Sequence, residues 1–354
     1  MGVARTLFSS VERQIITAGR YSDHSNRCCY RVMNNRMLPG TAAWRFCIFI
    51  RSQGRGLDGR VTVIMITHNR GEQILIALEH LLKLPERPRV IVVDNGSSDE
   101  TAGITRDMSS QVDMIALGHN LGCAGRNVGV FRADTPYVAF SDDDSWWQPG
   151  ALARAAELFD ANPELGLIAA RILVGSDQRL DPLCHAMATS PLARDHWRNG
   201  QSTGVPIVGF AACGTVVRRT AFLEAGGFDG RFGVGGEEQV LALDLLRNGW
   251  RLAYIEEVVA HHHPSPVRDA AKRQRLEVRN VLWSAWLRRP VASAFRVTWR
   301  VIRLALGNDA RRAGLAEAMR GLPWVFSARN PVPAEIARQL EIAEEAWLAA
   351  SALE

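Results

Sequence analysis

Between residues 61 and 140, short β-branched runs and helix-spaced apolar residues take turns along the chain. Val61-Thr62-Val63-Ile64-Met65-Ile66-Thr67 reads as a buried strand. Ile74, Leu75, Leu78, Leu81 and Leu82 follow at helical spacing until Pro85 and Pro88 break the pattern. Val90-Ile91-Val92-Val93 is a second strand, ending on Asp94 and the turn Asn95-Gly96-Ser97-Ser98-Asp99. A further helix, a short strand near residues 114–117, a helix over 124–133 and the strand Tyr137-Val138-Ala139-Phe140 continue the series. Parallel strands need long crossovers, which helices supply. The spacing therefore predicts an α/β domain with a mostly parallel, Rossmann-like sheet flanked by helices.

Beyond residue 140 the same reading gives a helix over 151–160, a strand over 167–174 and an irregular polar stretch over 175–202, suited to a substrate loop. Residues 205–217 look extended. Glycine crowds Gly226-Gly227-Phe228-Asp229 and Gly233-Val234-Gly235-Gly236, and Glu237 opens a helix reaching Asn248. A strand over 251–255 then delivers His261-His262-His263. Residues 1–58 lack periodicity and read as a poorly structured extension. Residues 59–265 form the expected catalytic domain, and 266–354 a basic, mainly helical region.

A composition of 47% hydrophobic and 22% charged residues is that of an ordinary globular enzyme. Six cysteines, with Cys28 and Cys29 adjacent and no CxxC pair, give neither a disulfide framework nor a zinc signature. No run of about 18 apolar residues suggests a membrane span, and no apolar signal core appears at the start. A cytoplasmic setting fits best. Of the net charge of +5, the basic part is local: residues 268–312 hold twelve Arg/Lys against Asp269, Glu277 and Asp309. Such asymmetry points to an anionic contact surface.

The densest chemistry lies in Ser141-Asp142-Asp143-Asp144-Ser145, at the end of a strand where α/β sheets bind ligands. Crowded carboxylates repel unless a cation or proton intervenes, and hard oxygen ligands suit Mg²⁺ or Mn²⁺ holding a substrate's phosphates. The plainer reading is an Asp-rich turn capping the next helix. Asp94 can accept from a base N–H or a ribose hydroxyl, or merely hold its own turn. Arg126 and Asn127 stand at a helix start among Gly122, Gly125 and Gly129, where amides and a guanidinium could face a diphosphate. Otherwise these glycines serve tight packing. Glu237 and Glu238 begin a helix, which suits acids through the helix dipole, and either could act as a general base toward a hydroxyl. Alternation puts His261 and His263 on one strand face and His262 on the other.

Taken together these blocks resemble the family 2 nucleotide-sugar glycosyltransferases of GT-A fold, rhamnosyltransferases among them. The resemblance rests on Thr67-His68-Asn69-Arg70, on Val92 to Thr101, on Asn120-Leu121-Gly122 through Gly129, on Ser141-Asp142-Asp143-Asp144, and on Gly226 to Asp229 with Gly236-Glu237-Glu238 through Trp250. It implies inverting transfer of a sugar from a nucleoside-diphosphate sugar to an acceptor hydroxyl of a glycan or lipid-linked molecule, in cell-surface glycan or glycolipid synthesis. Thr67, Asn69, Asp94, Arg126, Asn127, Asp142 and Asp143 would line the donor site. Asp144, Asp142 and His261 would hold Mg²⁺ or Mn²⁺, and Glu238 or Glu237 would be the base. The sequence departs from the family pattern at Glu238, where an Asp is usual, and at Val240, where many members carry an acid.

Outside these blocks, Val291, Phe295, Trp299, Ile302 and Leu306 share one helical face beside Arg296, Arg300 and Arg303. That pattern suits either peripheral contact with the inner face of a membrane or packing on the catalytic domain. Two other functions fit parts of the chain. A nucleotidyltransferase also uses carboxylate-bound Mg²⁺, but a Gly-rich basic loop after the first strand is missing. A non-catalytic nucleotide-sugar-binding module would not need the acid at position 238. Nucleic acid is an unlikely partner, because no aromatic platform or nucleic-acid motif accompanies the basic segment.

Overall fold

The computed structural model describes residues 20–22, 28–30, 59–108, 112–192, 204–264 and 270–351. The chain separates into two compact units, Met1–Gly54 and Arg55–Glu354. In the first, strands β1 (Arg20–Ser22) and β2 (Cys28–Tyr30) pair antiparallel. The rest of the expected N-terminal extension, and residues 193–203 of the expected substrate loop, lie outside the described residues.

The second unit is built on a ten-stranded sheet. Its parallel part runs β6 (Tyr137–Asp142), β3 (Val61–Thr67), β4 (Arg89–Asp94), β5 (Val112–Ala116). On the other side of β6 the direction reverses. Strand β11 (Thr215–Arg218) pairs antiparallel with both β6 and β8 (Leu165–Val174), and β8 runs parallel to β12 (Arg251–His262). Short strands border this side, among them β10 (Val205–Pro206) along β12 and β9 (Arg179–Leu180) along β8.

Both faces of the central strands are buried, so β3 and β4 read as unbroken apolar runs. Val63 and Met65 point into one core with helices α1 (Gly71–Leu82) and α4 (Ala151–Ala161). Ile64 and Phe140 point into the other, with α3 (Gly125–Arg132), α6 (Arg219–Glu224) and α7 (Glu237–Arg247). Gly129 lets α3 lie close on β3, because a Cβ there would sit 2.5 Å from Ile64 Cγ2. Helix α2 (Thr101–Met108) covers the edge near β5.

Several elements differ from the sequence reading. Residues 145–147 form a strand, β7 (Ser145–Trp147), paired with the end of β12. Strand β12 itself extends to His262, past a register break between Ile255 and Val259 where Glu256 and Glu257 turn to solvent. Part of the polar 175–202 stretch is helix α5 (Pro182–Ala188), capped by Asp181, whose side chain accepts from Leu183 N at 2.8 Å. The 205–217 stretch is broken by a 3₁₀ turn at Ala212–Gly214.

The C-terminal helices are α8 (Ala270–Arg288), α9 (Val291–Ala305), α10 (Asp309–Ser327) and α11 (Ala334–Ser351). Helices α8, α9 and α10 share a core with Phe232 and Val240, residues next to the glycine loop and on α7, whereas α11 packs through Ala337 and Leu340 on Val208 and Leu243. Arg288 clamps Asp244 of α7 with two hydrogen bonds, 2.6 and 2.9 Å. The basic region is thus packed on the segment that carries Glu237 and Glu238.

Candidate active site

Three strand ends form one wall. Thr67 and Asp94 lie opposite each other on β3 and β4, and Asp142 lies opposite Ile66 on the other side of β3. The two loops that follow β3 and β4 are tied together. Asn69, at φ +54°, accepts from Ser98 N at 2.8 Å, and Asn69 N donates to Ser97 Oγ at 2.9 Å. Asp94 accepts from Ser97 N at 3.1 Å and also from the Ser97 hydroxyl. Asn95 faces the other way, donating to Gly122 O at 3.2 Å and accepting from Leu121 N at 3.3 Å. Thr67, Asn69 and Asp94 are therefore gathered at one strand-end surface.

The acidic turn is closed by Ser145, whose Oγ accepts from Asp142 N at 2.7 Å. The chain then returns as β7, with Ser145 opposite His262 and Trp146 opposite His261. That register decides which histidine meets the carboxylates. His262 Nε2 lies 3.4 Å from Asp144 Oδ1, and His263 N donates to Asp144 O at 2.8 Å. His261 faces the opposite side, its ring centroid 6.0 Å from that of Trp146, which stacks on His80 at 4.2 Å. The expected alternation holds, and the face carrying His262, not His261, is the one that meets Asp144. His80, Trp146, His261 and His263 instead line a separate cleft of about 510 Å³. Burial, and then His263, hold the His261 imidazole below its ordinary pKa.

Burial and the neighbouring Asp142 push the Asp143 carboxyl up to about 7. Such crowding is what a cation would relieve. Asp142 pairs with the guanidinium of Arg126, which is itself buried and 5.6 Å from the Phe228 ring centroid. Burial works against the charge on Arg126, but Asp142, Glu237 and Glu238 outweigh it and keep the group protonated. Arg126 thus links the acidic turn to the start of α7. Asn127, expected beside it on the diphosphate, has another task. Its amide donates to Phe228 O at 2.8 Å and accepts from Phe228 N at 2.9 Å, so both ends are used within the fold.

The loop before α7 turns through Gly233, Gly235 and Gly236, with φ of +72°, +88° and +87°, values that strain any residue with a Cβ. Cys123 N holds it by donating to Gly233 O at 2.8 Å. Its other anchor, Asn280 of α8, carries no local sequence signal. The Asn280 amide is buried and donates to Phe232 O at 3.0 Å, to Val234 O at 3.2 Å and to Gly235 O. Glu237 is only 2% exposed, whereas Glu238 is half-buried. Burial, then Glu238, push the Glu237 carboxyl up to about 8. Burial also raises Glu238, opposed by Arg126. The helix dipole would lower both acids, and here desolvation wins.

Arg126 Nε, Ser141 Oγ and Glu237 Oε2 are among the buried polar atoms of this region with no hydrogen-bond partner among the described residues. Buried polar groups are nearly always paired, so their clustering around the acidic turn marks where a ligand would supply partners.

Known proteins similar to this chain include several glycosyltransferases. An L-rhamnosyltransferase of Mycobacterium tuberculosis, named for N-acetylglucosaminyl-diphospho-decaprenol, is 25% identical over 240 residues, covering 59% of this chain and 78% of its own. The pre-mycofactocin glycosyltransferase of the same organism is 29% identical over 222 residues, 60% of this chain but 45% of that protein. The crystal structure of Staphylococcus aureus TarS residues 1–349 with UDP-GlcNAc superposes with a TM-score of 0.52 at 15% identity. It covers 82% of this chain and 88% of that one, a likeness in fold, which is GT-A. Residues 62–226 match the sequence profile of glycosyl transferase family 2. Residues 62–226 are thus a glycosyl transferase family 2 domain, and the chain is a glycosyltransferase.

Proposed function

We propose that this glycosyltransferase moves a sugar, of rhamnosyl or similar type, from a nucleoside-diphosphate donor to an acceptor hydroxyl with inversion. The observation that carries this reading is the convergence of Asp142–Asp144, Arg126 and the Glu237–Glu238 helix start on one strand-end surface. Asp94 and the Asn69–Ser97–Ser98 turn would hold the nucleoside, and Thr67 and Asp143 would border it. The buried Arg126 would face the diphosphate, its unpaired Nε–H serving a phosphate oxygen.

The donor set also suits a divalent cation. Asp144 and His262 are already adjacent, and the three-acid turn is crowded. Mg²⁺ and Mn²⁺ take few protein ligands and complete their shell with substrate phosphates and water. Asp144 and His262 would hold the ion, with Asp142 beside them. When bound, the ion would neutralise charge on the departing diphosphate.

Glu238 is the better candidate for the base, because the residue is less buried than Glu237 and has a raised pKa, as general bases near neutral pH require. It would take the acceptor hydroxyl's proton as the oxygen attacks the anomeric carbon from the face opposite the diphosphate. Glu237, buried behind it, would keep it poised. The names of the relatives support a cell-surface glycan or its lipid-linked precursor as acceptor, and hence a place at the inner face of the membrane.

A panel of UDP-, GDP- and dTDP-sugars, followed by thermal shift with Mn²⁺, tests the donor site. Stabilisation by one base class, lost with EDTA and in Asp144→Ala, is expected. If folded protein responds to no donor, or responds equally in Asp144→Ala, the reading fails.

A further inference from the structure

Helix α9 shows three distinct sides. Ala294, Val297, Val301 and Ala305 are buried against the rest of the domain. Val291, Phe295, Trp299 and Leu306, four or seven residues apart, share a second side and are exposed by 52%, 59%, 65% and 70%. Arg296, Arg300 and Arg303 lie along a third and are also exposed. A helix that simply packed on the catalytic domain would bury its large apolar side chains and expose its small ones. The reverse is seen here.

The exposed apolar surface continues beyond α9. Trp286 touches Phe295 on one side and Phe326 of α10 on the other, with ring centroids 5.0 and 5.5 Å apart. Its indole Nε1 donates to Thr298 Oγ1 at 3.0 Å, which fixes the ring under the patch. Phe326 is itself 50% exposed, and Met319, two turns earlier on α10, is 58% exposed. Contiguous exposed apolar surface of this kind marks an interaction site in a water-soluble protein.

Charge selects the partner. The sixteen residues from Val291 to Leu306 include three arginines and no acid. Arg296 pairs with Glu341, whereas no acid among the described residues pairs with Arg300 or Arg303. A second copy of the chain would bring like charges to this face. A bilayer with anionic headgroups offers both an apolar interior for Phe295 and Trp299 and negative charge for the arginines. No helix among the described residues is long and apolar enough to cross a membrane. With 15 residues, α9 is roughly 22 Å long, so it would lie in the interface plane.

We propose that the Val291–Leu306 face, together with Phe326, is a docking surface for an anionic lipid bilayer. The inference rests on this surface and not on the transfer chemistry. Its test therefore reads binding, with donor-induced thermal shift as a separate control on the active site.

The full chain would be sedimented with vesicles of phosphatidylcholine alone and with one-third phosphatidylglycerol, at low and high salt. Three proteins are compared: wild type, Phe295→Glu/Trp299→Glu, and Arg300→Glu/Arg303→Glu. Each arginine near an anionic surface is worth roughly five-fold in partition, so neutralising the pair weakens binding on the order of 30-fold, and reversing them weakens it further. The expected result is binding to anionic vesicles only, weakened by salt and by either double variant, with the donor response intact. Equal sedimentation of all three proteins, or none by wild type, overturns the proposal. So does a wild-type dimer that the Phe295→Glu/Trp299→Glu variant converts to monomer, since a second copy would then be the occupant.

Discussion

Asn280 lies more than forty residues after the loop it supports, and replacing it tests whether the C-terminal helices hold the active site. Its amide has two N–H groups facing the carbonyls of Phe232, Val234 and Gly235. Phe232 O would keep its bond from Arg279, so Asn280→Ala would leave Val234 O and Gly235 O unserved in a part-buried place. At the lower end of the cost of unpaired groups, the loss should be about 1–3 kcal/mol. The freed loop carries Glu237 and Glu238, and a displacement of about 1 Å at such a site can cost roughly 100-fold in turnover.

Asn280→Asp sharpens the test, because it keeps the shape but turns a carboxylate toward carbonyl oxygens. The acid must hold a proton to donate, so its pKa in the fold is raised above its unfolded value. Its destabilisation then grows as pH rises through that interval. Urea unfolding at pH 5.5 and pH 8, with turnover of the best donor, would measure both effects. Refutation would be an Asn280→Ala protein within 0.5 kcal/mol of wild type, or an Asn280→Asp protein whose stability deficit does not change with pH.

The histidine assignment predicts that His262→Ala weakens Mn²⁺ binding, measured by calorimetry with donor nucleotide present, by about 10–100-fold, the scale of losing a ligand-shell contact. His261→Ala should leave Mn²⁺ affinity within two-fold, and the opposite ranking would restore His261 to the site. Stability should also depend on pH in a defined direction. Asp143 and Glu237 have folded pKa values raised to about 7 and about 8, above the 3.8 and 4.5 of the free side chains. Between these limits the two acids bind more protons in the folded state than in the unfolded one, so their contribution to stability falls as pH rises from about 4 to 8. It outweighs the opposite, smaller contribution of His80 and His261, whose pKa values are lowered by burial. Thermal unfolding across that range should show the decline, and Asp143→Asn should flatten its lower part. A stability that rises over the window would contradict the buried-acid picture.

Local sequence determined much of this protein. Buried parallel strands must be apolar on both faces, so Val61–Thr67 and the run ending on Asp94 were legible as strands, and the breaks at Pro85 and Pro88 were legible too. Motifs contained within one strand-to-helix turn, such as Asp142–Asp144 or Gly236–Glu238, could be read because their chemistry and their geometry occupy the same few residues. What escaped was decided by partners distant in sequence. Residues 145–147 became a strand because β12 offers them an edge, and that pairing alone chose His262 over His261. Asn127 looked free to bind phosphate until the fold brought Phe228 to both ends of its amide. Asn280 carries no local signal, since a lone Asn in a helix is unremarkable until three carbonyls of a glycine loop stand around it. Periodicity alone showed that α9 is amphipathic. Only tertiary packing decided that Ala294, Val297 and Val301 face inward and Phe295 and Trp299 face outward, because the core built by α8 and α10 meets that side of the helix.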